Sequence, residues 1–158
     1  MKIGITGHQR RAGLNWSWTT STIRSELAKR ADAAIGLSSL AAGADQVFAQ
    51  QALDLGMVVW AVLPFEGYER CFAGADLSAY QRTLARCRVT QLHGAAMTDA
   101  AYYAAGKYIV DEADLLFAVW DGKQSAGLGG TGDVVAYAKQ TGRKILHLDP
   151  FDCVIREI

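Results

Sequence analysis

The chain has 158 residues, 51% of them apolar and 20% charged, a balance that excludes a disordered or fibrous polypeptide and suits one domain, residues 1–158, with a substantial core. Its 16 Lys and Arg residues match 16 Asp and Glu residues, so the formal net charge is zero and nucleic acid is disfavoured as a partner, because phosphate contacts draw on a basic surplus. No apolar run approaches membrane-spanning length and the start, MKIGITGHQRR, has no signal-peptide stretch, so a cytoplasmic protein without membrane association is expected.

The first strand is expected at Lys2–Thr6. It runs into Gly4-Ile-Thr-Gly-His-Gln-Arg10, where Gly7 permits a sharp turn with exposed N–H groups. His8 and Arg10 supply charge-assisted donors for an anion, or form a plain turn with a solvated arginine. Trp16, Ile23, Leu27 and Ala31 then recur at helical spacing, with Trp16 and Trp18 suited to core or subunit contact. After a second strand at Ala34–Ser38 comes Ser38-Ser-Leu-Ala-Ala-Gly-Ala-Asp45. Ser39 and Gly43 there present donors near a helix start, and Asp45 falls in the first turn, where an acid also serves as cap or dipole partner.

Phe48, Ala52 and Leu55 carry the next helix, and Met57–Leu63 the third strand. The Pro64-Phe65 pair after it suits either a pocket wall against a flat ring or a hydrophobic plug. Tyr80, Leu84 and Cys87 mark another helix, with Asp76 a candidate N-cap; Val89–Leu92 follows as a strand, and Thr98 is a second candidate N-cap. Strands at Leu115–Trp120 and Lys144–Leu148 complete the alternation. The strands are nearly continuous in apolar residues, as in a parallel sheet covered on both faces, so the expected fold is an α/β, three-layer, Rossmann-like open sheet. In such sheets ligands sit beyond the carboxyl ends of the strands.

Between the strand at 115–120 and the last helix lies Asp121-Gly-Lys-Gln-Ser-Ala-Gly-Leu-Gly-Gly-Thr-Gly-Asp133, with five glycines in thirteen residues. Gly127 to Gly132 match GxGxxG, with Asp149 at the distance of a ribose-binding acid, but the insert Asp121–Ala126 separates them from the strand. The phosphate-binding P-loop fails too, because Asp133-Val134 stands where Lys-Ser/Thr is needed. Asp133 would repel a phosphate, so it faces a ribose hydroxyl, a base edge or water, or acts as a first-turn acid. Cys71, Cys87 and Cys153 form no CxxC pair and no metal-ligand spacing with the three histidines; no metal and no resident cofactor are implied.

Together these loops resemble the SLOG superfamily of Rossmann-like proteins, which joins the DNA-processing protein A family, the Lonely Guy phosphoribohydrolases and nucleotide-sensing modules of bacterial defence systems. The resemblance rests on Gly4-x-x-Gly7-His8-x-Arg10, Ser39-Leu-Ala-Ala-Gly43-Ala-Asp45, Val62-Leu-Pro-Phe65, Ile109-Val-Asp111, and Ala118-Val-Trp-Asp-Gly122 followed by Gly129-Gly-Thr131, and covers Lys2 to Leu148. The phosphoribohydrolase motif Pro-Gly-Gly-x-Gly-Thr-x-x-Glu is only partly met: no proline precedes Gly129, and Asp133 comes earlier than the glutamate and is one methylene shorter.

The resemblance implies a small-molecule partner, a nucleotide or nucleotide derivative. The N–H groups of Gly129, Gly130 and Thr131, with Arg10 and Ser39, would hold phosphate. Asp45, Asp121 or Asp133 would take ribose hydroxyls, and Phe65 or Trp120 would border the base, in a pocket shared with Gly7, His8 and Gly43. The alternative is an N-glycosidic hydrolase or transferase with Asp133 and Asp45 as its carboxylates and His8 as an outside candidate. Dinucleotide redox and single-stranded DNA binding rank below both. A homo-oligomer is expected from the family and from Trp16 and Trp18.

Overall fold

β-Branched, apolar runs bounded by glycine and polar residues form the strands of an open sheet. A computed structural model describes residues 1–32, 34–125 and 127–158. Along the chain lie β1 (Lys2–Gly7), α1 (Trp16–Ala28), β2 (Ile35–Ser38), α2 (Ala44–Asp54), β3 (Val58–Leu63), a 3-10 turn (Tyr68–Cys71), α3 (Gly74–Leu84), β4 (Arg88–Gln91), α4 (Asp99–Glu112), β5 (Leu115–Val119), α5 (Thr131–Gln140), β6 (Lys144–Asp149) and β7 (Val154–Glu157). The sheet order is β4-β3-β2-β1-β5-β6-β7, parallel throughout except for β7.

Strand side chains alternate between two apolar layers. Ile3, Ile5, Phe117 and Val119 pack with Ile23 and Leu27 of α1 and Phe48 and Ala52 of α2. Leu37, Val62, Leu116 and Ala118 pack with Ile109 and Val110 of α4 and Val134, Val135 and Ala138 of α5. This is the expected three-layer α/β architecture. Both faces are covered, which is why β1 and β5 read as unbroken apolar runs.

Two local features differ from expectation. β7 was not anticipated: its four residues, Val-Ile-Arg-Glu, are mostly exposed and carry no periodic signal. It pairs because Asp149 Oδ1 accepts the N–H groups of Phe151 (3.0 Å) and Asp152 (3.2 Å), turning the chain back along β6. Asp76 is not an N-cap; α3 begins two residues earlier, at Gly74, and Asp76 pairs with Arg10 at 2.8 Å instead. Thr98 does cap α4, its hydroxyl accepting the Ala101 N–H at 3.2 Å. The cysteines are free thiols.

β1 and β5 pair from Ile3–Leu115 to Gly7–Val119. At the end of this seam a Cβ on Gly7 would lie 2.5 Å from Ala44 Cβ and 2.9 Å from Val119 Cβ. Neither neighbour has a rotamer to yield, so the backbone itself would have to move. Gly7→Ala is expected to destabilise the fold by about 1–3 kcal/mol, read as a fall in the urea midpoint with an unchanged m-value.

Candidate ligand-binding cleft

From β1 the chain winds towards β2, and from β5 it winds the opposite way towards β6. This divergence opens a crevice at the carboxyl ends of β1 and β5, the usual ligand position in such sheets. A cleft of about 1020 Å³ occupies it, bounded by the loops after β1, β2, β3 and β5 and by the start of α4.

His8, Arg11 and Asp121 join the two sides. His8 Nε2 lies 3.1 Å from the Asp121 backbone N and 3.1 Å from Arg11 Nη1, both obligate donors, so this nitrogen accepts and the ring is neutral. Burial lowers the His8 pKa and outweighs the raising effect of Asp121, in agreement with that state. Asp121 Oδ1, 3.3 Å from His8 Nε2, is then a neighbour and not an ion-pair partner. The ion pair is Arg11–Asp121, at 3.1 Å. Burial pushes the Asp121 carboxyl up, but the Lys123 N–H and the Arg11 guanidinium hold it below the ordinary range.

Arg10, expected as a donor to the anion, gives way to its neighbour Arg11. Arg10 is 69% exposed, turns away to Asp76 and does not line the cleft. Arg11 lines it. No signal separates the two in Gln-Arg-Arg-Ala; the direction of the loop decides.

Around the start of α2 several backbone N–H groups are engaged internally. The Ala44 N–H donates to the His8 carbonyl (3.2 Å), and Gly43 lies under the β1–α1 loop, with Gln9 Cα 2.7 Å from where a Cβ would stand. The Asp45 carboxyl accepts the Ser39 and Ala41 N–H groups, yet burial dominates and pushes it up to about 7. Ser39 and Asp45 both line the cleft.

At the glycine-rich turn, Gly129 adopts φ +87° and donates its N–H to Asp133 Oδ2 at 2.9 Å. Asp133 therefore closes the turn, and it is not among the residues lining the cleft. Gly130, the N-cap of α5, contributes no side chain, so the N–H groups of Thr131 and Gly132 open towards the cleft without an intrahelical acceptor. Ala126, the last residue of the insert, lies outside the described residues.

The facing wall is aromatic and acidic. Tyr68, Phe72 and Tyr102 line it with Asp45, Asp76 and Asp99. Phe65 is 1% exposed and stands behind this wall, edge-on to Tyr68 at 5.6 Å and Tyr102 at 5.8 Å. The plug reading of Phe65 matches this position. The three lining aromatics escape the sequence pattern because they sit on a 3-10 turn, a loop and a helix start. Trp120 also lines the cleft, its indole N–H donating to the Lys123 carbonyl at 2.8 Å. Asp149, the acid of the GxGxxG reading, holds the β6–β7 turn. Among the described residues no cluster of His, Cys, Asp and Glu has metal-holding geometry, and no helix is long and apolar enough to cross a membrane.

No family model matches the chain, and no curated protein matches it by sequence. Its fold does match solved structures. DNA processing protein A from Helicobacter pylori, which binds single-stranded DNA, superposes with a TM-score of 0.68 at 18% identity over 94% of this chain and 65% of that one. Its counterpart from Streptococcus pneumoniae gives 0.71 at 14% identity over 94% and 50%. The molybdenum cofactor binding protein from Rippkaea orientalis gives 0.54 at 15% identity over 92% and 74%. The chain thus spans 50–65% of the two DNA processing proteins and shares their Rossmann-like α/β fold. One expectation is corrected: nucleic acid is not disfavoured, because single-stranded DNA is bound on this fold. Formal neutrality sums the whole chain and does not report the charge of one face.

Asp45 provides a test of the cleft wall. Its folded pKa, about 7, stands above the ordinary carboxyl value of 3.8, so the native state holds the proton more tightly than the unfolded chain. Stability from this group is complete below about pH 4 and declines as pH rises towards 7. Asp45→Asn removes that decline. In urea titrations across this range the wild type should lose up to about 1.4 kcal/mol per pH unit relative to the variant.

Proposed function

We propose that this SLOG-type domain binds a nucleotide or nucleotide derivative in the cleft at the ends of β1 and β5, as a binding or sensing module. The division of the cleft into two unlike walls carries this reading. One wall offers Arg11 and the start of α5, where Thr131 and Gly132 line the cleft, to an anion. The other offers Tyr68, Phe72 and Tyr102 to a flat ring, with Asp45 placed for hydroxyl groups. A phosphorylated nucleoside presents the same sequence of chemistries: anion, polyol, planar base. A single-stranded oligonucleotide presents them in repeat, and the likeness to a single-stranded DNA-binding protein supports testing it alongside mononucleotides.

The enzymatic alternative, cleavage at an N-glycosidic bond, rests on Asp45. A carboxyl poised near neutrality in a cleft suits a general acid or base. Asp133 is a weaker candidate for that chemistry, since one carboxylate oxygen already accepts the Gly129 N–H.

Thermal-shift titration with a panel of nucleoside mono- and diphosphates, ADP-ribose and single-stranded oligonucleotides tests the binding reading. A ligand at a hundredfold its dissociation constant should stabilise by about 2.7 kcal/mol, about 5–10 °C in Tm. Arg11→Ala should weaken that binding about tenfold, in line with loss of one charge-assisted hydrogen bond. A flat response across the panel removes the proposal. For the alternative, chromatography of incubated nucleoside monophosphates should show free base, with the rate falling about a hundredfold or more in Asp45→Asn.

A further inference from the structure

The first turn of α5 is capped from a distance. A helix normally supplies its own N-cap side chain to the N–H of its second or third residue. Gly130 cannot, and the hydroxyl of Ser125 fills that place, accepting the Asp133 N–H at 3.0 Å. The glycines of the turn permit this approach. A Cβ on Gly130 would meet Ser125 Oγ at 2.6 Å, and one on Gly132 would meet the Lys123 carbonyl and the Ser125 N, each at 2.8 Å. Residues 123–125 therefore lie directly against the helix start, where an anion would otherwise sit.

Asp121 anchors this segment at one end, its N–H donating to His8 Nε2 (3.1 Å) and its carboxylate pairing with Arg11 (3.1 Å). The Lys123 N–H donates to Asp121 Oδ1 (3.0 Å), and its carbonyl accepts the Trp120 indole N–H (2.8 Å). The run Asp121-Gly-Lys-Gln-Ser125 contains no apolar side chain, and Lys123 and Gln124 are exposed. Beyond Asp121, the described residues 122–125 are tied by a few hydrogen bonds and carry no apolar side chain, and such a segment opens at small free-energy cost.

We propose that residues 122–125 form a strap, hinged at the anchored Asp121, that latches the cleft over the start of α5, and that a ligand phosphate replaces the Ser125 hydroxyl when the strap lifts. This rests on the nucleotide-binding reading and adds its regulation: the empty site is self-capped, and ligand and strap compete for the same helix end. Affinity is then reduced by the fraction of molecules in which the strap is closed.

Ser125→Ala breaks the latch at one hydrogen bond, and Trp120→Phe breaks it at another while keeping a ring in place. Trypsin cleavage after Lys123, followed by mass spectrometry, reports strap opening without ligand; calorimetry with AMP reports competition. Each variant is expected to be cut at Lys123 about fivefold faster and to bind AMP about fivefold tighter, the equivalent of one net hydrogen bond. In the wild type, AMP should accelerate cleavage at Lys123. If AMP binds the wild type but equally or more weakly to both variants, the latch is overturned and the nucleotide reading stands. If neither AMP nor any other member of the nucleotide panel binds any of the three proteins, both are overturned.

Discussion

The pairing of β1 with β5 is the constraint from which the rest of the molecule follows. These strands are neighbours in the sheet but far apart in the chain, and each continues to an opposite side. The crevice is a consequence of that divergence, not of any one loop. Its depth depends on Gly7, because only a residue without a Cβ lets Ala44 and Val119 close over the end of the seam. Bringing α2 that near also lets the His8 carbonyl take the Ala44 N–H, and His8 in turn meets Asp121.

The loop carboxylates divide into two kinds. Asp133 and Asp149 tie turns by accepting backbone N–H groups of Gly129, Phe151 and Asp152. Such bonds satisfy backbone donors that a loop would otherwise leave without partners. Asp121 joins a similar tie, to the Lys123 N–H, to an ion pair with Arg11. Asp45 also accepts two N–H groups, but burial overrides them and leaves it near neutrality. Asp133, the acid of the glycine-rich turn, thus serves the turn itself, and the carboxyl with the more perturbed proton affinity, Asp45, lies on the opposite wall.

The glycine-rich turn changes meaning in the same way. Its spacing resembles a phosphate cradle, yet Gly130 and Gly132 are needed first to admit residues 123–125 of the same chain. Phosphate cradling and strap packing ask for the same thing, a helix start with no Cβ in the way. Residue pattern alone does not separate them.

The chain order of strands and helices, the two-faced covering of the sheet and the placing of polar loops after strands were all determined by the sequence. Each depends on residues a few positions apart: apolar runs at β1 and β5, helical spacing along α1 and α2, the Thr98 cap. β7 escaped because four exposed residues pair only through their backbone with β6. The choice of Arg11 over Arg10, the aromatic wall of Tyr68, Phe72 and Tyr102, and the neutral state of His8 were decided by tertiary structure. These arise from contacts such as His8 with Asp121, 113 residues apart, whose energies exist only once the parallel sheet has closed. Local periodicity is written in neighbouring residues; the direction of a side chain at a strand end depends on what the remainder of the fold brings against it.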